Sequence, residues 1–425
     1  MERDTALPRL PRAGGLYLST LLALVAAFYL VLVASLGLSA VLLVRLVAWT
    51  PGFVAREHTL GALRLLVILY VLLGVYAYAT LRGLFTRAGG APGGITLTRV
   101  RHPAVFALAD EVAARVAADP IDEAYLLPGA EIGVWEETAL YLPPGTGKRK
   151  IVLGMAALSS LTPDALRSVL AHEYAHFSHR DTFYARFIYR AAAGCDALLA
   201  ALGEHGGWVR YINPLYWAFR LFAAVYPRLA ARFSRIRELH ADRAAAHAYG
   251  RDAFARALIA TSLDSSFFAQ AGADGVMRAA GRDATLPNVY HFVAAARREY
   301  ERENPAGAAA VLSTMLAVPA GRLDTHPALR ERLDARGVPE GDRRPPPPPR
   351  PVAVLSLDAL VSDAGEAARG VPSAAEALFG TDASALQARL TTLYSAPYAL
   401  VARVLRAARE GEGETPGVPR GRGLE

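Results

Sequence analysis

The stretch "LAHEYAHFSHRD", residues 170–181, sets three histidines, a glutamate and an aspartate into twelve positions. His172, Glu173 and His176 have the spacing H-E-x-x-H. On a helix, side chains at i and i+4 stand one above the other, so both imidazoles can face one cation while the intervening carboxylate reaches a water beside it. A catalytic zinc takes three protein ligands and keeps its fourth position for water, so a third ligand is needed. "SRIRELHADRAAA", residues 234–246, offers Glu238, His240 and Asp242. Glu238 and Asp242 share a helix face, whereas His240 points about 200° away from Glu238. That geometry favours Glu238 as ligand, with Asp242 one turn on and able to receive the N–H of a ligand histidine. The expectation spans 62 residues of chain between His176 and Glu238.

The first histidine pair needs a helix, and the sequence supplies one. Thr162 is suited to an N-cap, Pro163 to the first helical position, and Asp164 to the positive end of the helix dipole. Leu166, Val169, Leu170, Tyr174 and Phe177 recur at helical spacing as a core stripe, and His172 and His176 fall at its margin. "RELHADRAAAHAYG" reads as a second helix ending at Gly250, a suitable C-cap. Before the first helix, "AYLLPG", "IGVWEETALYLPP" and "RKIVLGMAAL" have strand length and are separated by turn residues, which predicts a small sheet. "PPGTGKRK", residues 143–150, is expected to be a hairpin turn. It approximates the phosphate loop G-x-x-x-x-G-K-[ST], but Leu142 replaces the first glycine and Arg149 the magnesium-binding hydroxyl, so no nucleotide is expected.

Hydrophobic residues make up 53% of the 425, and much of the excess is local. No residue is charged from Ala13 to Val44, a run of 32 flanked by Arg12 and Arg45. This exceeds the ~20 apolar residues that cross a bilayer and the ~7–15 of a signal-peptide core. Leu60 to Leu81 is interrupted only by Arg64. Two transmembrane helices, at about 14–44 and 60–81, are predicted within an N-terminal segment 1–86. Basic residues are denser on the outer flanks (Arg3, Arg9, Arg12, Arg82, Arg87, Arg99, Arg101) than between the spans (Arg45, Arg56, Arg64), which favours a cytoplasmic main domain. The single cysteine, Cys195, permits no internal disulfide and no cysteine-based zinc site, and reads as a small core residue. The net charge of +7 is spread thinly, so anionic headgroups are favoured over nucleic acid as a partner.

Residues 182–233 are apolar but studded with charge and rich in aromatics, including Tyr211, Trp217 and Tyr226. They are expected at the membrane interface, over the site, or as an ordinary hydrophobic helical pair. "RAGGAPGG" (87–94) reads as a joint. "RRPPPPPR" (343–350) reads as a stiff polyproline element in a linker at 339–350. Residues 351–408 look helical and the remainder, to 425, a disordered tail. A domain at 95–338 is left to hold the metal. His179 is expected to make a helix-end hydrogen bond, and His240 and His247 to pack or face solvent. His58, His102, His205 and His291 receive no role.

Taken together, "SSLTPDALRSVLAHEYAHFSHRDT", "SRIRELHADRAAA" and "THPALRERL" (325–333) resemble the membrane zinc metallopeptidases that include the HtpX heat-shock protease and the CAAX prenyl protease. The resemblance covers roughly residues 100–335. It implies a mainly α fold with a small β-sheet (α+β) of the gluzincin type. It also implies zinc at His172, His176 and Glu238, Glu173 as general base, Asp242 as support, and His326 as one candidate for stabilising an oxyanion, beside any Arg or Tyr nearby. An endopeptidase acting on polypeptides, some of them membrane proteins, in a bacterial inner membrane is what it implies. A scaffold or sensor with an idle zinc module is the rival reading. The chain departs from the family in lacking an Asn-Ala-Phe-like segment, since "AEIGVWEE" (130–137) stands in the strand before the active helix.

Overall fold

The computed structural model describes residues 12–57, 59–85, 93–137, 147–178, 181–205, 207, 211, 213–282, 284–349 and 371–413. The chain is mainly helical with one four-stranded sheet. Helices α1 (Arg12–Arg56) and α2 (Leu60–Phe85) form an N-terminal hairpin, and both are long and apolar enough to cross a membrane. α1 does not stop near Val44, as its charge-free run suggested. It continues through Pro51 to Arg56, so the link to α2 is only residues 57–59. The expected joint at 87–94 lies outside the described residues except for Gly93 and Gly94.

Strands β1 (Ile95–Leu97), β2 (Glu123–Leu127), β3 (Ile132–Glu137) and β4 (Lys148–Gly154) are ordered β1-β2-β4-β3. β2 and β4 are parallel and the outer pairs antiparallel. β3 pairs with β4 from Ile132↔Leu153 to Glu137↔Lys148, which makes their connection a hairpin. Lys148–Lys150 of the expected turn already belong to β4, and residues 138–146 lie outside the described residues. The short turn from β2 to β3 crosses the end of β4 so closely that a Cβ on Gly154 would come within 2.4 Å of the Gly129 carbonyl oxygen. Only a residue without a side chain fits there.

α3 (Pro103–Arg115) and α5 (Pro163–Ser178) pack with the sheet in the main core, where Val112, Leu126, Leu166 and Tyr174 are all fully buried. A short α4 (Met155–Ser160) links β4 to α5. α5 begins as its sequence predicts: the Thr162 hydroxyl accepts from Ala165 N at 3.2 Å. α6 (Asp181–His205) and α7 (Pro214–Tyr249) follow, and α7 ends at Gly250, whose φ of +91 suits glycine. The stretch that read as a separate second helix is therefore the C-terminal half of one 36-residue helix. Pro227 lies inside it, and the Arg228 guanidinium donates to the Ala224 carbonyl.

α6 and the N-terminal half of α7 pack against α1 and α2. Leu21, Val25, Phe28 and Leu32 of α1 meet Ile188, Cys195 and Leu198 of α6 and Tyr216, Phe219 and Tyr226 of α7 in a second core. α2 and α6 touch backbone to backbone: a Cβ on Gly194 would lie 2.5 Å from the Gly83 carbonyl oxygen. The described helices of this stretch, α6 and the N-terminal half of α7, are thus a helical pair docked on the hairpin.

The remaining helices are α8 (Arg251–Phe267), α9 (Ala273–Gly281), α10 (Val289–Glu303), α11 (Gly307–Ala317) and α12 (Leu329–Ala335). α13 (Ala374–Phe379) and α14 (Asp382–Gly413) come after the proline run. Ala374, Phe379, Leu386 and Leu390 enter the main core. Gln387 joins Asn288 to Ser159 through its side-chain amide. The helices after the prolines therefore belong to the body of the domain.

Candidate metal centre

α5 presents His172 and His176 one turn apart, and α7 crosses it with Glu238 and Asp242 one turn apart. The crossing is close because the facing residues are small: Ala175, Ala241 and Ala244 form a buried cluster of their own. Alanine at such a contact lets helix axes approach, so side chains that flank it meet.

Glu238 stands between the two imidazoles. Its Oε2 is 3.3 Å from His172 Nε2 and its Oε1 3.4 Å from His176 Nε2. Two ligand atoms each ~2.0–2.1 Å from a tetrahedral zinc lie ~3.3–3.4 Å apart, so the separations suit a shared ion. One ligand atom from each of the three residues lies within 4.8 Å of the others. Glu238 and His172 are buried and His176 half-buried. A carboxylate taken out of water this far needs positive charge beside it. Burial alone would raise the pKa of Glu238, but His172, His176 and His326 together hold it far below the usual carboxylate range. The donor set and its spacing fit a divalent cation with nitrogen and oxygen ligands.

Around the trio lies a supporting layer. Asp242, fully buried, approaches His172 Nδ1 at 3.0 Å, close enough for an ion pair but not aligned as a straight hydrogen bond. Arg332 on α12 grips the same carboxylate with two bonds, Nε to Oδ2 at 2.9 Å and Nη2 to Oδ1 at 2.5 Å. Burial works against a charged His172, yet Asp242 and Glu238 raise its pKa to about 10. Glu173 is half-buried, and burial raises its carboxyl pKa against the lowering pull of His172 and His176. His326 comes to Glu238 from the segment before α12, its Nδ1 2.8 Å from Oε2.

Of the three acids and bases offered by 238–242, only Glu238 joins the histidines; His240 is buried elsewhere and Asp242 lies behind His172. His326 shares the site, 88 positions from Glu238 in sequence. Sequence reasoning missed Arg332. The available signal was chemical, since a buried Asp242 behind an imidazole requires a cation, and Arg332 lies in the same "THPALRERL" segment as His326. His58 and His179 lie outside the described residues.

A helix pair that closes two histidines and a glutamate around one point, with a carboxylate between the histidines, is the arrangement of HExxH metallopeptidases. The sequence model of peptidase family M48 matches residues 105–336, more than half of the chain. The chain belongs to peptidase family M48. It is similar to the protein named Protease HtpX of Shewanella denitrificans, with 30% identity over 146 residues that cover 29% of this chain and 51% of the relative. The chain thus spans about half the length of the curated relative it matches. No solved structure matches it.

Proposed function

We propose that the protein is a membrane-anchored zinc endopeptidase in which His172, His176 and Glu238 hold the metal. The observation that carries the reading is the convergence of the α5 histidines and the α7 carboxylate at ligand separations, behind a buried Asp242–Arg332 pair. When bound, zinc supplies Lewis acidity, which polarises a carbonyl and makes water a better nucleophile near neutral pH. Glu173 takes the proton that water loses and returns it to the leaving amine; a carboxyl raised by burial suits both halves of that task. His326 keeps Glu238 in place through Nδ1, and its other ring nitrogen is available to a developing oxyanion. Asp242 holds the His172 ring, and Arg332 holds Asp242. β3 is one of the two edge strands of the sheet and packs beside α5, and among the described residues no strand pairs with its outer side, so an extended polypeptide can add to it as a strand. The substrate class is polypeptide, including membrane proteins reached from the hairpin.

Glu173→Gln tests this directly. Bound zinc, measured on the purified protein, is expected to stay at the wild-type level while cleavage of an unfolded polypeptide falls by about 10²–10⁴-fold. Persistent cleavage removes Glu173 from the role of base. Zinc binding without cleavage in the wild type favours a scaffold or sensor built around an idle site.

A further inference from the structure

An open pocket of about 480 Å³ lies between the C-terminal end of α11 and the segment that leads into α12. Its size falls within the ~300–1,000 Å³ of small-ligand sites. Met315, Val318, Pro319, Ala320, Pro327 and Leu329 give it a mainly apolar wall, and His326 is part of that wall. The same His326 is bonded to Glu238, so the pocket begins one side chain away from the candidate metal ligands. Val318 and Leu323 are 59% and 60% exposed on this segment. Val318 lines the pocket itself, so its exposed side chain leaves apolar surface there open to a ligand.

The segment is fixed relative to α7 at two points. Arg235 donates from Nη1 to the Gly321 carbonyl at 2.8 Å, and His326 meets Glu238 three positions further along the same helix. Arg330 Nε donates to the Leu316 carbonyl at 3.1 Å, which ties α12 back to α11. The acid in the wall, Asp324, is engaged by Gly321 N at 2.6 Å. None of the residues that line the pocket is Lys or Arg, so its walls are mainly apolar and present no cluster of cations to an anionic ligand.

We infer that this pocket holds an apolar side chain of the polypeptide substrate, of leucine, methionine or phenylalanine size, next to the bond to be cut. The inference rests on the endopeptidase reading and adds a specificity site to it. Continuity with the metal centre through His326 is what selects a substrate side chain as the occupant.

The test uses the full-length protein in detergent with peptides randomised on either side of one cleavable bond, and the products are read by mass spectrometry. At one flanking position Leu, Met or Phe is expected to exceed Ala or Asp by about tenfold or more in kcat/KM. Ala320→Phe fills the pocket and should bring the large apolar peptides down to the level of the Ala peptide. Met315→Ala enlarges it and should move the optimum toward the larger side chain. In parallel, a Glu173→Gln protein titrated with the same peptides carrying a fluorophore should show the same order of Kd, a readout that needs no turnover. Circular dichroism and metal content identify a variant that has failed to fold, and the second variant then carries the test. Cleavage with no preference at any flanking position, or preferences untouched in folded variants of both kinds, overturns the pocket and leaves the endopeptidase reading standing. A wild type that cuts none of the peptides, even where apolar-selective binding is abolished by Ala320→Phe, overturns the peptidase reading and with it the placement of the bound side chain beside a bond to be cut.

Discussion

Asp242 has no exposed surface, yet it is a carboxylate, and it survives burial because Arg332 and His172 face it. Burial raises its pKa, but Arg332 and His172 outweigh that and keep it ionised. Removing one partner of such a pair strands the other charge, at a cost of ~3–5 kcal/mol. Arg332→Met should therefore lower the thermal midpoint and weaken metal binding together. Asp242→Asn keeps the shape and loses the charge, so metal affinity should fall by about 10–100-fold while the fold persists. A chelator competition on the purified variants measures both, and unchanged affinity in Asp242→Asn removes it from the support of His172. At this scale the sequence was informative where chemistry and spacing coincide. His172, Glu173 and His176 are legible because one helix carries them. Glu238 and Asp242 are legible as a pair sharing a face, but their meeting with α5 depends on a crossing that no local pattern specifies. Arg332 depends on a third helix, 90 positions beyond its partner.

The crossing of α5 and α7 belongs to the scale of elements. Ala175, Ala241 and Ala244 set the distance between the helices, and with it the separations at the metal centre. Ala241→Leu adds volume to a filled contact, which typically costs ~1–3 kcal/mol and displaces backbone. The expected result is a protein with wild-type helix content and sharply reduced metal retention. A variant that binds metal normally would show that the alanines do not set the spacing. Across the sheet, Glu123 on β2 is gripped by Lys148, Tyr125 and Lys150, which hold its pKa down to about 2 from the usual 4.5. A carboxyl depressed on folding contributes stability that is present above about 4.5 and is lost as pH falls toward 2. Thermal midpoints of Glu123→Gln should thus fall less steeply than those of the wild type across that window and differ most above it. A parallel pH dependence of the two proteins would remove Glu123 from the acid response. α5 was readable from Thr162 onward because cap, dipole and stripe agree. The first half of α7 was not, since Pro227 and scattered arginines obscure a helix that packing against α1 and α2 completes.

The two cores divide the whole molecule, and the division bears on how it meets a bilayer. The second core involves α1 only as far as Leu32 and α2 from Tyr76 onward. Of residues 33–56 and 60–75, only Ser35, Ser39 and Leu66 are buried. Those two stretches amount to about 36 and 24 Å of helix at ~1.5 Å per residue, which brackets a hydrocarbon thickness of ~30 Å. Apolar side chains so exposed, such as Leu38, Val44 and Val67, need lipid around them. Tyr211, in the α6–α7 connection, and Trp217, in the first turn of α7, are each about half exposed (50% and 53%), and such rings favour the headgroup level. The exposed apolar part of the hairpin is thus expected to lie in the bilayer, with the tip of α6 and α7 at its surface and the candidate metal centre beneath. Single cysteines in a Cys195→Ala background test this in proteoliposomes. A membrane-impermeant maleimide should label Tyr211→Cys from the same face as a cysteine in the main domain and leave Leu42→Cys and Val67→Cys untouched. Labelling of Tyr211→Cys only from the opposite face would mean that α6 and α7 cross the bilayer as well, and that the four-helix core is itself within lipid. On the proposed peptidase reading the distinction decides how a membrane substrate would arrive: with α6 and α7 outside the hydrocarbon, a polypeptide would have to leave the lipid before its bond could lie beside Glu173.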